Sequence, residues 1–160
     1  MTAMTPRATN HAGLSERASR FVSVASLPWE KTRHPGIETK TLCMEPGSGW
    51  MTVLTKIAPG AKLPDHEHVR VEQTWVLEGT LHCGEGVCQA GDFVWRPAGS
   101  RHEAWGGPEG CLALAMFQAP NRFYEPGGKV VDFMGNDWDE KWAQRAPISK
   151  AKGESPKSKG

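Results

Sequence analysis

The sequence predicts an all-β fold, a small barrel or sandwich followed by one short helix. Eighteen Gly and twelve Pro punctuate the chain at short intervals, and Val, Thr, Leu and Trp fill the runs between them, the composition of short strands joined by turns. Apolar residues at helical spacing are scarce before residue 136. With 160 residues and biased composition at both ends, the chain has room for one domain of roughly 110 to 120 residues.

Residues 1–20 are charged and polar throughout and are expected to form a disordered arm. They contain no apolar core of a signal peptide, which places the protein in the cytoplasm. A barrel is expected over 21–135. Residues 21–29 suit a first strand or an ordered extension along its edge, and 37–44 and 50–57 flank the turn-rich Glu45-Pro46-Gly47-Ser48-Gly49 as a hairpin. Ala58-Pro59-Gly60 is a break, after which a polar loop leads to a strand at 72–77 that closes at Glu78-Gly79. Residues 81–83 and 87–89 flank Gly84-Glu85-Gly86, a connection of hairpin length. Strands at 93–96, 103–105 and 111–117 follow, separated by Arg96-Pro97-Ala98-Gly99 and Gly106-Gly107-Pro108-Glu109-Gly110. Two shorter extended pieces, 122–124 and 129–133, bracket a Pro-Gly-Gly turn.

Over 136–145 the pattern becomes helical. Asn136 or Asp137 can cap the segment, Glu140 sits where a capping-box acid belongs, and Trp138 and Trp142 share one face at i, i+4. So short a helix must dock through its indoles, on the outside of the barrel. Residues 146–160, rich in Lys, Gly and Ser, are expected to be a disordered tail.

A net charge of +1 gives neither a nucleic-acid footprint nor an acidic solvated chain. No run approaches the ~18 to 20 apolar residues of a membrane helix. Cys43, Cys83, Cys88 and Cys111 have no CxxC spacing and are expected to be reduced, mostly buried thiols. Function must therefore be sought in a site.

One stands out. Between Gly60 and Gly79, His66, His68 and Glu72 share parity, so in extended chain two imidazoles and a carboxylate point to the same side. A fourth ligand comes from the later stretch Gly91 to His102, in which Pro97 and Gly99 make a tight turn before His102. Imidazoles with a carboxylate suit one divalent transition metal, with Fe(II) or Zn(II) favoured and Mn(II), Ni(II) or Co(II) compatible. Thr74 and Val76 share the ligand face and are candidates for a substrate pocket, together with Arg101. Trp75 and Leu77 fall on the opposite face, an outward apolar stripe that would suit a homodimer.

The first stretch resembles the cupin motif G(X)5HXH(X)3EX6G residue for residue, and the second resembles G(X)5PXG(X)2H. Two departures, Gly106 where an Asn often sits and a spacer of only residues 80–90, touch no ligand. The resemblance implies a double-stranded β-helix, a jelly-roll-like barrel, with His66, His68, His102 and Glu72 on the metal; some cupins hold iron with three His alone. Open coordination positions would admit a bidentate substrate or a substrate atom with dioxygen. Thr-Trp-Val-Leu-Glu-Gly-Thr-Leu and Arg-Pro-Ala-Gly-Ser-Arg-His are similar to the group of small cupins that contains ketone- and β-diketone-cleaving dioxygenases and the C-terminal half of ChrR-type anti-sigma factors. This implies an Fe(II)-dependent dioxygenase cleaving a C–C bond in a small ketone or 1,3-diketone. The alternatives are a non-catalytic metal-binding or ligand-sensing module and a sugar or polyol isomerase, for which Arg70, Arg96 and Arg101 are the only hints and are expected at the solvated rim.

Overall fold

A computed structural model describes residues 2–145; the expected tail at 146–160 lies outside the described residues. Its strands are β1 (Glu30–Lys31), β2 (Ile37–Glu45), β3 (Trp50–Ile57), β4 (Lys62–Glu67), β5 (Glu72–Cys83), β6 (Gly86–Gln89), β7 (Phe93–Arg96), β8 (Arg101–Phe117), β9 (Arg122–Tyr124) and β10 (Val130–Val131), followed by helix α1 (Trp138–Trp142). All pairings are antiparallel. The strands form one curled sheet in the order β1-β2-β3-β8-β4-β9-β10, with β5 pairing β6, β7 and β8. Strand β8 is the hub, since β3, β4 and β5 all bond to it. This is the all-β half-barrel with one short C-terminal helix that the sequence predicts.

Two expected breaks are bends instead. Strand β5 runs through Glu78-Gly79 and β8 runs through the Gly106–Gly110 region. Register shifts at Val76/Glu78 and Gly79/Leu81 let the pair turn a corner together. Gly79 and Gly110 make this possible. Both have positive φ, and a Cβ on Gly79 would fall 2.0 Å from the Gly110 carbonyl oxygen, so any side chain there would force the two backbones apart.

Near the N-terminus the structure differs in other ways. Residues 21–29 contain only a 3-10 turn, Val24–Ser26, whose Val24 carbonyl accepts from Lys40 Nζ at 2.8 Å. In the stretch expected as a free arm, Met4 exchanges backbone hydrogen bonds with Met44, and the Thr5 hydroxyl donates to the Leu42 carbonyl at 2.7 Å. These bonds satisfy groups on β2 that would otherwise face water. Strand β4 also forms where only a loop was expected. Pro64 in its middle cannot donate to a ladder, and the register shifts between Leu63 and His66 around it.

Inside the curl, Ile37, Ile57, Val76, Cys111 and Ala113 form the core, with Leu63, Leu81 and Cys88 packed against it. All four cysteines are free thiols, and Cys111 is buried while the others are partly so. On the outer face Trp75, Leu77, Phe93 and Trp95 are exposed, Trp75 lying opposite Phe93 in register. Among the described residues no helix is long and apolar enough to cross a membrane.

Helix α1 docks as its two indoles require. The Asp137 side chain accepts from the Glu140 backbone N–H and caps it. Trp138 and Trp142 pack with Val69 and Ala119 in a second cluster. Each indole N–H is satisfied, Trp138 donating to the Pro120 carbonyl at 3.1 Å and Trp142 to Asp132 Oδ2 at 2.9 Å. Burial alone would raise the Asp132 carboxyl, but the Trp142 and Asn136 hydrogen bonds and Lys141 more than offset it and hold it low. Because Trp138 is fully buried, Trp138→Ala is expected to cost about 3 to 5 kcal/mol, read as a lowered midpoint in urea unfolding; a shift of under about 1 kcal/mol would show that α1 is not seated on the sheet.

Candidate metal centre

Two strands and one turn build the site. His66 on β4 lies opposite His102 on β8. His68 follows the end of β4 and is held by backbone: its N–H donates to the Ser100 carbonyl at 2.9 Å and its carbonyl accepts from Gly99 N–H at 2.7 Å. Those partners belong to the turn Pro97–Ser100, closed by Ser100 N–H to the Pro97 carbonyl at 3.1 Å, with Gly99 at φ 88°. The spacing of the second motif thus has a physical reason. Pro and Gly make the turn that pins the His68 backbone and launches His102 toward it.

The imidazoles of His66, His68 and His102 form a group whose ligating atoms all lie within 4.8 Å of one another. His68 Nε2 and His102 Nε2 face each other at 2.9 Å. His66 Nδ1 donates to the Pro64 carbonyl at 2.7 Å, which leaves its Nε2 as a bare lone pair, and Phe123 stacks on its ring at 5.0 Å. Burial, then the neighbouring His68 ring, lowers His66 to about 4; burial, then His66 and Arg96, lowers His102 to about 3. Both are neutral near pH 7. Three imidazoles gathered this closely, with His66 and His102 neutral, fit a transition metal.

Glu72 does not join this group. Its Oε2 lies 2.5 Å from His68 Nδ1, on the side of the ring away from Nε2, although this contact is not aligned as a hydrogen bond. Oε1 accepts from the Thr74 hydroxyl at 2.8 Å, and Asn121 Nδ2 reaches Oε2 at 3.4 Å. Burial would raise the Glu72 carboxyl, but the His68 ring and the Thr74 hydroxyl outweigh it and hold it at about 2. Sequence parity places Glu72 beside the histidines; the bend at residues 68–71 between β4 and β5 sets it behind His68 instead.

Of the pocket candidates, Thr74 is buried and engaged with Glu72. Val76 has no exposed surface and belongs to the apolar core. Arg101 points outward to Asp65 at 2.5 Å and lies over the Tyr124 ring at 3.7 Å. Arg96, expected at the rim, is instead 7% exposed and paired in register with Glu72, hence on the inner face. Asn121 was missed because only the fold brings it to Glu72, and Arg96 was misplaced because only strand pairing sets its face. Two surface depressions of about 460 and 420 Å³, lined by residues such as Lys31, Glu38, Lys56 and Glu109, touch none of the three histidines, and the ligating chemistry lies in the barrel.

His66→Ala, His68→Ala and His102→Ala are each expected to abolish stoichiometric divalent metal in elemental analysis, while Glu72→Ala keeps the ion with affinity about 10- to 100-fold weaker. Full metal content in all three His variants would sink the assignment. In the metal-free protein His66 and His102 stay neutral down to about 4 and 3, whereas the unfolded chain takes up those protons below about 6.5. The unfolded state therefore binds more protons in this window, and stability falls as pH is lowered from 6.5 toward 4. Thermal melts across that range read the slope, which should flatten in His66→Ala.

No curated protein sequence matches the chain significantly. Among solved structures it resembles a provisionally assigned acetylacetone dioxygenase from Methylibium petroleiphilum PM1, with TM-score 0.65 and 22% identity over 81% of this chain and 98% of that one. It also resembles an acetylacetone dioxygenase from Acinetobacter johnsonii, with TM-score 0.63 and 21% identity over 81% and 91% of the two chains. The Rhodobacter sphaeroides SigE–ChrR anti-sigma complex matches with TM-score 0.51 and 25% identity, over 59% of this chain and 51% of that one. The model of the ChrR cupin-like domain matches residues 17–120. Both motifs, strands β1 to β8 and the histidine cluster lie within that span, and the chain belongs to the ChrR cupin-like domain family.

Proposed function

We propose that the protein is an Fe(II)-dependent dioxygenase that cleaves a C–C bond in a small ketone or 1,3-diketone. The observation that carries this reading is the cluster of His66, His68 and His102, whose ligating atoms lie within 4.8 Å of one another and of which His66 and His102 are neutral near pH 7. His66, His68 and His102 would hold the ion. Fe(II) held there would supply the activation of dioxygen. The likeness in fold to two acetylacetone dioxygenases supports the choice of reaction.

The chain's own residues have definite tasks in this scheme. Pro64 fixes the tautomer of His66, so that its lone pair faces the ion. Glu72, low in pKa and therefore charged, stands 2.5 Å from His68 Nδ1 and supports that ring from behind rather than on the ion. Val76 and the core beneath it keep bulk water from the inner face.

Addition of both atoms of dioxygen across one C–C bond of a 1,3-diketone balances to a carboxylic acid and a 1,2-dicarbonyl compound. Protein purified without oxygen and loaded with Fe(II) is expected to consume one dioxygen per 2,4-pentanedione and release those two products in equal amounts. No oxygen uptake across a panel of 1,3-diketones and hydroxyaryl ketones would end the dioxygenase reading. The match to the ChrR family and to the SigE–ChrR complex favours a second reading, a metal-dependent sensor module, for which saturable binding of such a ligand without turnover is the distinguishing result.

The outward row of Trp75, Leu77, Phe93 and Trp95 lies on β5 and β7, and among the described residues β7 pairs only with β5. Its exposure beside a free strand edge supports a homodimer formed through this face. Sedimentation should show dimer for the parent protein and monomer for Trp95→Glu with Phe93→Glu; a parent monomer at tens of micromolar would remove this assignment.

A further inference from the structure

Arg96 has an environment that the metal scheme leaves unexplained. Its residue is 7% exposed, and a guanidinium keeps its charge at any accessible pH. Strand pairing puts it opposite Glu72 and on the same inner face as Thr74, which pairs with Val94 two residues earlier. Its hydrogen-bond partner is the Cys83 sulfur, at 3.7 Å from Nη2, a weak acceptor. The obvious counter-ion does not pair with it: the Glu72 carboxylate lies against His68, Thr74 and Asn121 instead. Among the described residues no carboxylate forms an ion pair with Arg96. The charge is nonetheless felt at the triad, since Arg96 is among the groups that lower His66 and His102.

A buried fixed charge without a protein counter-ion is costly unless another anion completes it. The planar fork of Arg matches a carboxylate in two parallel hydrogen bonds. We propose that Arg96 is a specificity-determining residue that receives a carboxylate on the ligand, so that the ligand is an oxo acid whose carbonyl end meets the histidine triad and whose carboxylate end meets Arg96. This rests on the reading of the triad as the ligand-binding metal centre, and it narrows the ligand from neutral diketones to their carboxylate counterparts. The geometry assigns Cys83, at the far end of β5, to the wall beside that carboxylate.

Two probes of almost equal size isolate the charge: 3-oxobutanoate, and 2,4-pentanedione, in which a methyl group replaces the carboxylate oxygen. Binding is measured by calorimetry on Zn(II)-loaded protein, which has no oxygen chemistry, and again on metal-free protein. The parent is expected to bind 3-oxobutanoate at least about tenfold more tightly than the diketone. In Arg96→Met that preference should vanish through loss of affinity for the anion, with the diketone changed less than about twofold. Arg96→Lys, which keeps the charge but not the fork, should retain part of it, and Arg101→Met at the rim should retain all of it. Metal content and thermal melts accompany each variant, and Arg96→Lys carries the comparison should Arg96→Met fail to fold. An equal or stronger grip on the neutral diketone by the parent, or an unchanged preference in Arg96→Met or Arg96→Lys, would overturn the proposal. Failure of the oxygen-uptake assay alone would not, because binding here is read without turnover.

Discussion

The ligating nitrogens of His66, His68 and His102 crowd within 4.8 Å of one another in a site largely removed from water, where burial and the neighbouring rings keep His66 and His102 unprotonated near neutral pH. The surrounding structure is organised around that site. Pro64 takes the one ring proton of His66, Glu72 stands behind His68, and the turn at Pro97–Ser100 fastens the backbone of His68 to the strand that bears His102. None of these groups faces the shared centre. Pro64 and Glu72 lie at the rear of a ring and the turn acts on backbone, so none of them occupies the front.

Such a site needs a rigid frame, and β8 supplies it. One strand of 17 residues bonds to β3, β4 and β5, so it carries His102 at one end and the apolar core at the other. Its bend is made without a break in pairing, because Gly79 and Gly110 allow two main chains to cross almost in contact. The interior curvature and the site are therefore consequences of the same strand pair. A side chain at either glycine would act on the histidines through the backbone, with no contact to them.

Much of this is written in the sequence, because ligands and turns recur at spacings that extended chain converts into geometry. His66, His68 and His102 are legible, as are the hairpin around residues 45–49 and the capped helix with its paired indoles. Parity also puts Glu72, Thr74 and Val76 on one face and Trp75 and Leu77 on the other, as the burial of β5 shows. What parity cannot give is depth or continuity. Val76 faces inward but lies in the core, and the bend at 68–71 changes what Glu72 touches. Arg96 escapes altogether, since Pro97 and Gly99 scramble its phase relative to His102 and only pairing with Glu72 fixes its face. Arg101 is the opposite case, as its adjacency to His102 in a strand already implies that it points outward.

Val69 joins two parts of the molecule that otherwise have little in common. It follows His68 directly and lies in the cluster that receives Trp138 and Trp142. Ordering of the triad and seating of the helix are thus two expressions of one local arrangement, and any free energy that couples them must act equally in both directions. If occupation of the triad steadies Val69, it holds the C-terminal indoles more firmly, and a seated helix then tightens the grip on whatever the triad holds. The last turn of the fold is in this sense a remote handle on the centre of the barrel.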